Sequence, residues 1–453
     1  MTTTSATTRP EDERLPALST LGYGLQHILA MVGGVLAVPL IIGGAAGLSG
    51  ADLAVLVSAS LFLSGIATVL QTLGVPYVGS RLPLVQGISF GSVSTLLTIV
   101  GKHGGEEGLR TAFGAVIVAA AFGFLVAPFF SRVVRLFPPV VTGSVITVIG
   151  LSLVPVAAGW ITDQKDTAPI SSIVLAAVTL GIVLVLSKIA ALSRYAILLG
   201  LVLGTVVALA AGKASFDGVG ASDAVALPRP FHFGGPLFDV GAIVAMVIVI
   251  LVIMVETTAD ILAVGEVVGT EVDDRRIAAG LRADMLSSLV APLLNTFPAT
   301  AFAQNVGLVA ITGVKSRYAV ATGGAVIALL GLSPWLAAVV NVMPLSVLAG
   351  AGIALFGSVT ASGIRTLGKV AYDGTQNLVI VATSVGFGVI PIAYPAFWAG
   401  FPDWWQTIFD SEISAAALVA FVLNLFFNVL LPSTALRAVH GVAPEETTGE
   451  ALG

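Results

Sequence analysis

The stretch AFAQNVGLVAITGVKSR, Ala301–Arg317, decides how the chain is read. Its polar residues come early, Gln304 and Asn305 and then Gly307, with Thr312 further on. It follows Pro298 in a chain that is otherwise almost continuous apolar sequence. Within lipid an unpaired backbone group costs several kcal/mol, so polar or irregular backbone persists only where it lines a protein-enclosed cavity. The stretch is therefore the first candidate for a binding site near mid-membrane.

The surrounding composition supports that setting. The 453 residues are 57% hydrophobic and 10% charged, whereas an average soluble protein carries roughly 25% charged residues. The chain reads as an all-α polytopic membrane protein. It has no cysteine, which excludes disulfides, thiolate metal sites and cysteine nucleophiles. Residues 1–18 are polar and lack the apolar core of a signal peptide. They are expected to form a short mobile cytoplasmic tail, and residues 437–453 a second one.

A spanning helix needs about 20 apolar residues. Candidates cover 19–44, 53–75, 110–130, 138–160, 168–187, 195–212, 238–265, 278–294, 318–331, 333–356, 375–396 and 413–432. Two further stretches, 84–100 and 301–313, are too short or too polar for plain spans, and counting both gives 14 transmembrane elements. With the N-terminus in the cytoplasm, 15 of the 20 basic residues fall on the cytoplasmic side; Lys102, Arg110, Lys165, Lys213 and Arg229 fall outside. The positive-inside rule favours this orientation. Acids including Asp52, Asp403, Asp410 and Glu412 then belong to outer loops.

The two short elements are third and tenth in order. Seven is odd, so two copies of a seven-element unit lie in opposite orientation, a 7+7 inverted repeat of the kind secondary transporters use. The hydrophilic stretch from Lys213 to Gly235, with its exposed run PRPFHF, is the seam. RLPLVQGISFGSVSTLL (Arg81–Leu97) and NTFPATAFAQNVGLVAIT (Asn295–Thr312) resemble one another locally. Each is expected to run as a short strand and then a half-helix. The two strands would pair antiparallel, and the half-helix N-termini would aim N–H groups at a shared cavity.

Charge inside the membrane marks function. VAMVIVILVIMVETTADILAVGEVVG carries Glu256 and Asp260, four residues apart and so on one helix face. Such carboxylates cost about 2.5–3.5 kcal/mol each on insertion scales, and a low-dielectric cavity suits them to carrying protons. His27, in GLQHILAM, is the histidine of an apolar segment; the others fall in loops or the tail. Its alternatives are a packing role or a hydrogen bond across to the site. Asp284, in GLRADMLSSL, would pair with Arg282, cap a helix or face the cavity. The sequence carries no HExxH or P-loop pattern and no basic aromatic groove for nucleic acid.

Four motifs carry a family resemblance: GLQHILAM with AVPLIIG, RLPLVQGISFGSVS, VETTADILAVGE, and QNVGLVAIT at Gln304–Thr312. The chain resembles the nucleobase–ascorbate transporters (nucleobase:cation symporter family 2), and among them the bacterial xanthine and uric acid permeases. The resemblance runs from about Leu18 to Leu431 and implies 14 elements with a core domain (19–130 and 238–331) and a gate domain (131–237 and 332–436). It implies that Glu256 and Gln304 bind the base from two sides, with backbone contacts from Phe90 and Ala303 and a hydrogen bond from His27 into the site. Asp260, Asp284, Asn305, Thr312, Gln86 and Ser89 would support the site or the proton coupling. The implied activity is purine import by H+ symport through an elevator-type motion. It would proceed without a cofactor or bound metal, in a homodimer formed through the gate and held in the inner-membrane lipid with both termini cytoplasmic. Na+ is not firmly excluded as the coupling ion. A flat oxidised purine, with donors and acceptors in fixed directions, suits a carboxylate facing an amide.

Three other readings remain. A uracil or other pyrimidine permease of the same family is opposed by Gln304, where uracil carriers typically have Glu. An anion carrier of the sulfate-transporter type is opposed by the mid-membrane Glu256. An integral-membrane enzyme would need a nucleophile–base or metal constellation, and the sequence shows none.

Overall fold

The computed structural model describes residues 9–130, 134–162, 167–216, 225–333, 335, 339–340, 342–373 and 375–430. The expected C-terminal tail and Lys165 lie outside them. The fold is mostly helical, and among the described residues nine helices are long and apolar enough to cross a membrane. The protein is a multi-pass membrane protein.

The first four helices are α1 (Ala17–Ala45), α2 (Gly50–Leu73), α3 (Val93–His103) and α4 (Gly105–Val126). Then follow α5 (Pro139–Ser152), α6 (Val154–Thr162), α7 (Ile170–Lys188) and α8 (Ala196–Ala210). The second half holds α9 (Val240–Val268), α10 (Asp274–Val290), α11 (Ala303–Thr312) and α12 (Arg317–Gly331). It ends with α13 (Leu345–Leu367), α14 (Asn377–Ala393), α15 (Asp403–Phe409) and α16 (Glu412–Asn424). The strands β1 (Gln86–Ile88) and β2 (Ala299–Ala301) precede α3 and α11, separated from α3 by a 3-10 turn at Phe90–Ser92.

With lipid no worse a solvent for apolar side chains than a neighbouring helix, small residues set which helices meet. A Cβ on Gly24 of α1 would lie 2.6 Å from the Ala319 carbonyl oxygen of α12, and one on Gly65 of α2 would lie 2.5 Å from that of Gly324. α12 is thereby seated against both α1 and α2, while α9 and α10 pack on α4. A second set forms in the same way: a Cβ on Gly150 of α5 would lie 2.3 Å from the backbone nitrogen of Thr360. α13 packs on α5, α7 and α8, and α16 on α5 and α14. At one end of this set an aromatic cluster gathers Trp398, Phe401, Trp405 and Phe409, with the Trp405 and Phe409 rings stacked at 4.2 Å.

The strands pair antiparallel, with Gln86 opposite Ala301, Gly87 opposite Thr300 and Ile88 opposite Ala299. The ladder continues at both ends. The Ser89 N–H donates to the Pro298 carbonyl at 2.8 Å, and the Phe302 N–H to the Val85 carbonyl at 3.1 Å. Each strand also has its outer edge served by a hydroxyl. Thr68 of α2 accepts from the Gln86 N–H at 2.9 Å and donates to the Gln86 carbonyl at 3.2 Å. Ser288 of α10 does the same for Ala299, at 3.0 and 3.2 Å. Strands as short as three residues survive in lipid because their backbone groups find such partners.

Four expectations need correction. Residues 9–16 are not a free tail: Glu11 is 1% exposed, Pro10–Asp12 forms a 3-10 turn, and two ion pairs hold it, Glu11 to Arg276 and Asp12 to Arg317, each at 2.6 Å. The span expected at 333–356 lies partly outside the described residues, and the long helix that overlaps it, Leu345–Leu367, starts only at Leu345, with Pro344 at its N-cap. Glu412 is not in an outer loop; it opens α16, with its carboxylate accepting a hydrogen bond from Ser94 of α3. The PRPFHF run is exposed except at Pro228, which is half-buried, and Phe233, which is buried, and Arg229 receives the Asn295 side-chain amide on its carbonyl at 2.7 Å.

Candidate functional site

The site is built where the strand pair meets α1, α9 and α10. Ser89 precedes the 3-10 turn that leads into α3 and Phe302 precedes α11, so Phe90 and Ala303 hold the same first helical position after each strand. N–H groups of a first helical turn have no partner within the helix, which makes these backbones natural hydrogen-bond donors to a ligand. Gln304 follows directly. It is exposed, its side chain makes no hydrogen bond among the described residues, and Ala303, Gly307 and Ala310 are exposed beside it.

α9 brings the carboxylates. Glu256 is half-buried in an apolar helix and has neither hydrogen bond nor ion pair among the described residues. Asp260, one turn on, is 7% exposed, and its Oδ2 has no partner. Asp284 of α10 is fully buried. It accepts a hydrogen bond from Thr257 and, at 3.5 Å, one from the Gln71 side-chain amide. Thr257 is in turn 3.2 Å from the Thr300 hydroxyl of β2, so a hydroxyl relay joins Asp284 to the strand. Asp284 does not pair with Arg282, whose guanidinium donates to the Tyr77 carbonyl at 3.3 Å. No cation neutralises Glu256, Asp260 or Asp284 among the described residues. Carboxylates so placed are suited to holding protons.

His27 reaches the site from α1. Its Nδ1 is 3.0 Å from Asn305 Oδ1, while Asn305 Nδ2 donates to the Pro83 carbonyl at 2.7 Å. An amide oxygen only accepts, so the His27 Nδ1 carries the proton. Asn305 thus joins α11, α1 and the segment leading into β1.

The remaining expected residues are placed as follows. Phe90 is 9% exposed, its ring stacked on Phe302 at 6.3 Å and edge-on to Phe356 at 6.2 Å. Gln86 is buried with neither side-chain amide atom hydrogen-bonded, and the buried Ser89 hydroxyl is likewise unpartnered. Thr312 is not brought to the site. It lies at the far end of α11, donating to the Leu308 carbonyl at 2.8 Å and accepting from the Val314 N–H at 3.3 Å.

Sequence reasoning missed Thr257, Thr300, Gln71, Phe302 and the strand-holding hydroxyls of Thr68 and Ser288. Hydroxyls in membrane helices commonly bond within their own helix, as Thr68 also does to the Ser64 carbonyl at 2.7 Å, so nothing in sequence distinguishes these. Phe302 had a readable signal: it precedes the helix start in AFAQN, and Gly87 opposite leaves room for it. A Cβ on Gly87 would lie 2.4 Å from the Phe302 ring.

Residues 18–397 match the model of the Permease family, that of the nucleobase–ascorbate transporters. The chain is 36% identical to the xanthine permease of Bacillus subtilis, over 94% of this chain and 98% of that one. It is 37% identical to the uric acid transporter UacT of Escherichia coli, over 93% and 89% respectively. It is also 37% identical to the uric acid permease PucJ of Bacillus subtilis, over 89% and 92%. Among solved structures it resembles the transmembrane domain of the cyanobacterial bicarbonate transporter BicA, with TM-score 0.58 and 15% identity, over 90% of this chain and 98% of that one. It also resembles the murine anion transporter Slc26a9 in the inward-facing state, with TM-score 0.61 and 13% identity, over 92% and 69%. At that identity the likeness concerns the fold.

Proposed function

The chain belongs to the Permease family of nucleobase–ascorbate transporters, and from that premise we propose that it imports a purine base, xanthine or uric acid, together with H+. The observation that carries this reading is Glu256: a half-buried, unpaired carboxylate in an apolar helix, packed beside the half-helix that presents the free Gln304 amide. A carboxylate accepts two ring N–H groups and an amide donates and accepts, which matches an oxidised purine. The helix-start backbones of Phe90 and Ala303 add donors. The three relatives named for xanthine and uric acid support the substrate class.

In this reading Glu256, with Asp260 and Asp284 behind it, holds the coupling proton, and His27 and Asn305 keep the strand geometry. No cofactor is needed. The chain is taken as 14 elements in a 7+7 inverted repeat, and the matched service of Thr68 to β1 and Ser288 to β2 supports that symmetry. The first packed set, α1–α4 with α9–α12, is the core. The second, α5–α8 with α13–α16, is the gate against which the core moves in an elevator-like way and through which two copies pair. Charge distribution supports a cytoplasmic position for both termini, and in this reading the protein sits in the inner membrane.

The fold likeness to anion carriers supplies the second reading, which the unneutralised Glu256 opposes. Uptake of labelled xanthine, uric acid, uracil and bicarbonate into carrier-deficient cells, with and without a protonophore, separates them. Saturable purine uptake that collapses with the protonophore is expected. Uptake of bicarbonate alone would replace the proposal with the anion carrier, and purine uptake driven only by Na+ would replace the coupling ion.

A further inference from the structure

We propose that Glu11, in the segment preceding the first membrane helix, is a positioning residue for the purine site, acting through Arg276 on the backbone that feeds β1. The proposal rests on the functional reading above. Its starting point is strain. Arg81 has φ 56°, a left-handed conformation that a residue with a side chain rarely adopts. Such a conformation persists where the surroundings over-determine it.

Here all four backbone polar groups of Ser80–Arg81 are engaged. The Ser80 N–H donates to Gln71 Oε1 at 3.2 Å and the Arg81 N–H to the Gln71 carbonyl at 2.9 Å. The Ser80 carbonyl accepts from Arg276 Nε at 2.7 Å and the Arg81 carbonyl from Arg276 Nη2 at 3.0 Å. Glu11 Oε1 sits 2.6 Å from that same Nη2 and so fixes the guanidinium plane. Two residues beyond Arg81, the Pro83 carbonyl receives Asn305, which holds His27. The opposite face of the turn also reaches the site, because the Gln71 amide that accepts from Ser80 donates to Asp284. The turn therefore aims the β1 segment, and Glu11 with Arg276 locks the turn.

Glu11 Oε2 is buried without a partner. A buried pair with an orphaned oxygen contributes little net stability and is better suited to fixing register. The neighbouring ion pair is an internal control. Asp12 meets Arg317 Nε at 2.6 Å, and that guanidinium donates to the Thr72 and Leu73 carbonyls at the end of α2. It donates to neither Ser80 nor Arg81.

The test compares Glu11→Gln with Asp12→Asn in the full-length protein, reading xanthine and uric acid KM, maximal rate per transporter in the membrane, melting temperature, and amide hydrogen exchange over 80–89. For Glu11→Gln the expected result is a KM raised about tenfold at an unchanged maximal rate, with faster exchange over 80–89. For Asp12→Asn it is a lowered melting temperature with KM and that exchange unchanged. Unchanged exchange over 80–89 in Glu11→Gln overturns the proposal whatever the substrate. So does faster exchange with an unchanged KM, or equal effects of the two variants on KM. Failure of the wild-type chain to take up either purine would instead overturn the functional reading.

Discussion

The two strand–half-helix units start from the same backbone device and end in opposite surroundings. β1 and β2 share a ladder, and each has its first residue held at the outer edge by one hydroxyl. Past the strands they diverge. α3 is sealed: Ser94 donates to Glu412 at the start of α16, and the Thr95 hydroxyl lies 2.6 Å from that of Ser411, which caps α16. Further along, Lys102 donates to Thr407 of α15 at 3.1 Å. α11 is open, exposing Ala303, Gln304, Gly307 and Ala310. Symmetric backbone with asymmetric cover is what the proposed alternating access of an inverted repeat requires, since exchanging the covers exchanges the open side. With the N-terminus cytoplasmic, as proposed, the sealed unit runs outward and the open side faces the cytoplasm.

The largest expected effect tests whether the open unit faces the working carboxylate. Glu256→Gln removes the proposed charged acceptor for the base, at a cost of about 1.5–3 kcal/mol, and with it the proposed proton carrier. Uptake is expected to fall below detection with membrane expression intact; normal accumulation would detach Glu256 from transport. Gln304→Glu, on the open unit itself, is expected to weaken xanthine binding by about 10–100-fold, read by competition. An unchanged substrate profile would leave the open face without a role in recognition.

The shared ladder is tested next. Gly87→Ala forces the Phe302 ring to move and is expected to cost about 1–3 kcal/mol of stability, seen as a lowered melting temperature. Thr68→Val and Ser288→Ala each strip two hydrogen bonds from a strand edge and should cost similar amounts. A large inequality between them would break the symmetry at the level of energy. The absence of cysteine makes the covers directly readable. Counted from the strand starts, Ser94 and Gly307 hold equivalent places, and Gly307→Cys is expected to label about tenfold faster than Ser94→Cys.

The smallest effect concerns the sealing side. Burial raises the Asp410 carboxyl above its ordinary range, and Lys102 nearby works in the opposite direction. A raised carboxyl costs stability while ionised, so Asp410→Asn should slightly raise the melting temperature at pH 8. The gain should shrink as the pH falls through the raised range and wild-type Asp410 takes up its proton. A gain independent of pH would assign it to something other than charge.

Sequence carried the membrane class, the order of the segments and the two interrupted elements, because apolar length and local polarity are both written in single residues. The strand pairing was legible from the likeness of Arg81–Leu97 to Asn295–Thr312. What escaped depends on three-dimensional neighbours. Thr257 and Thr300 matter only because Asp284 lies against them, and Thr68 and Ser288 only because a strand edge does. Glu412 read as a loop acid because a helix start and a loop end look alike in sequence. The docked N-terminal segment read as mobile because its polarity is that of a tail, while its partners Arg276 and Arg317 are hundreds of residues away.

The aromatic cluster around α15 has an optical consequence. Trp398, Trp404 and Trp405 are three of the five tryptophans in the chain, and Trp404 and Trp405 share the short helix to which Lys102 fastens α3. Separation of α3 from that helix would change the polarity and charge around their indoles. Native emission, excited without any attached dye, would then follow opening of the sealed side in the unmodified protein.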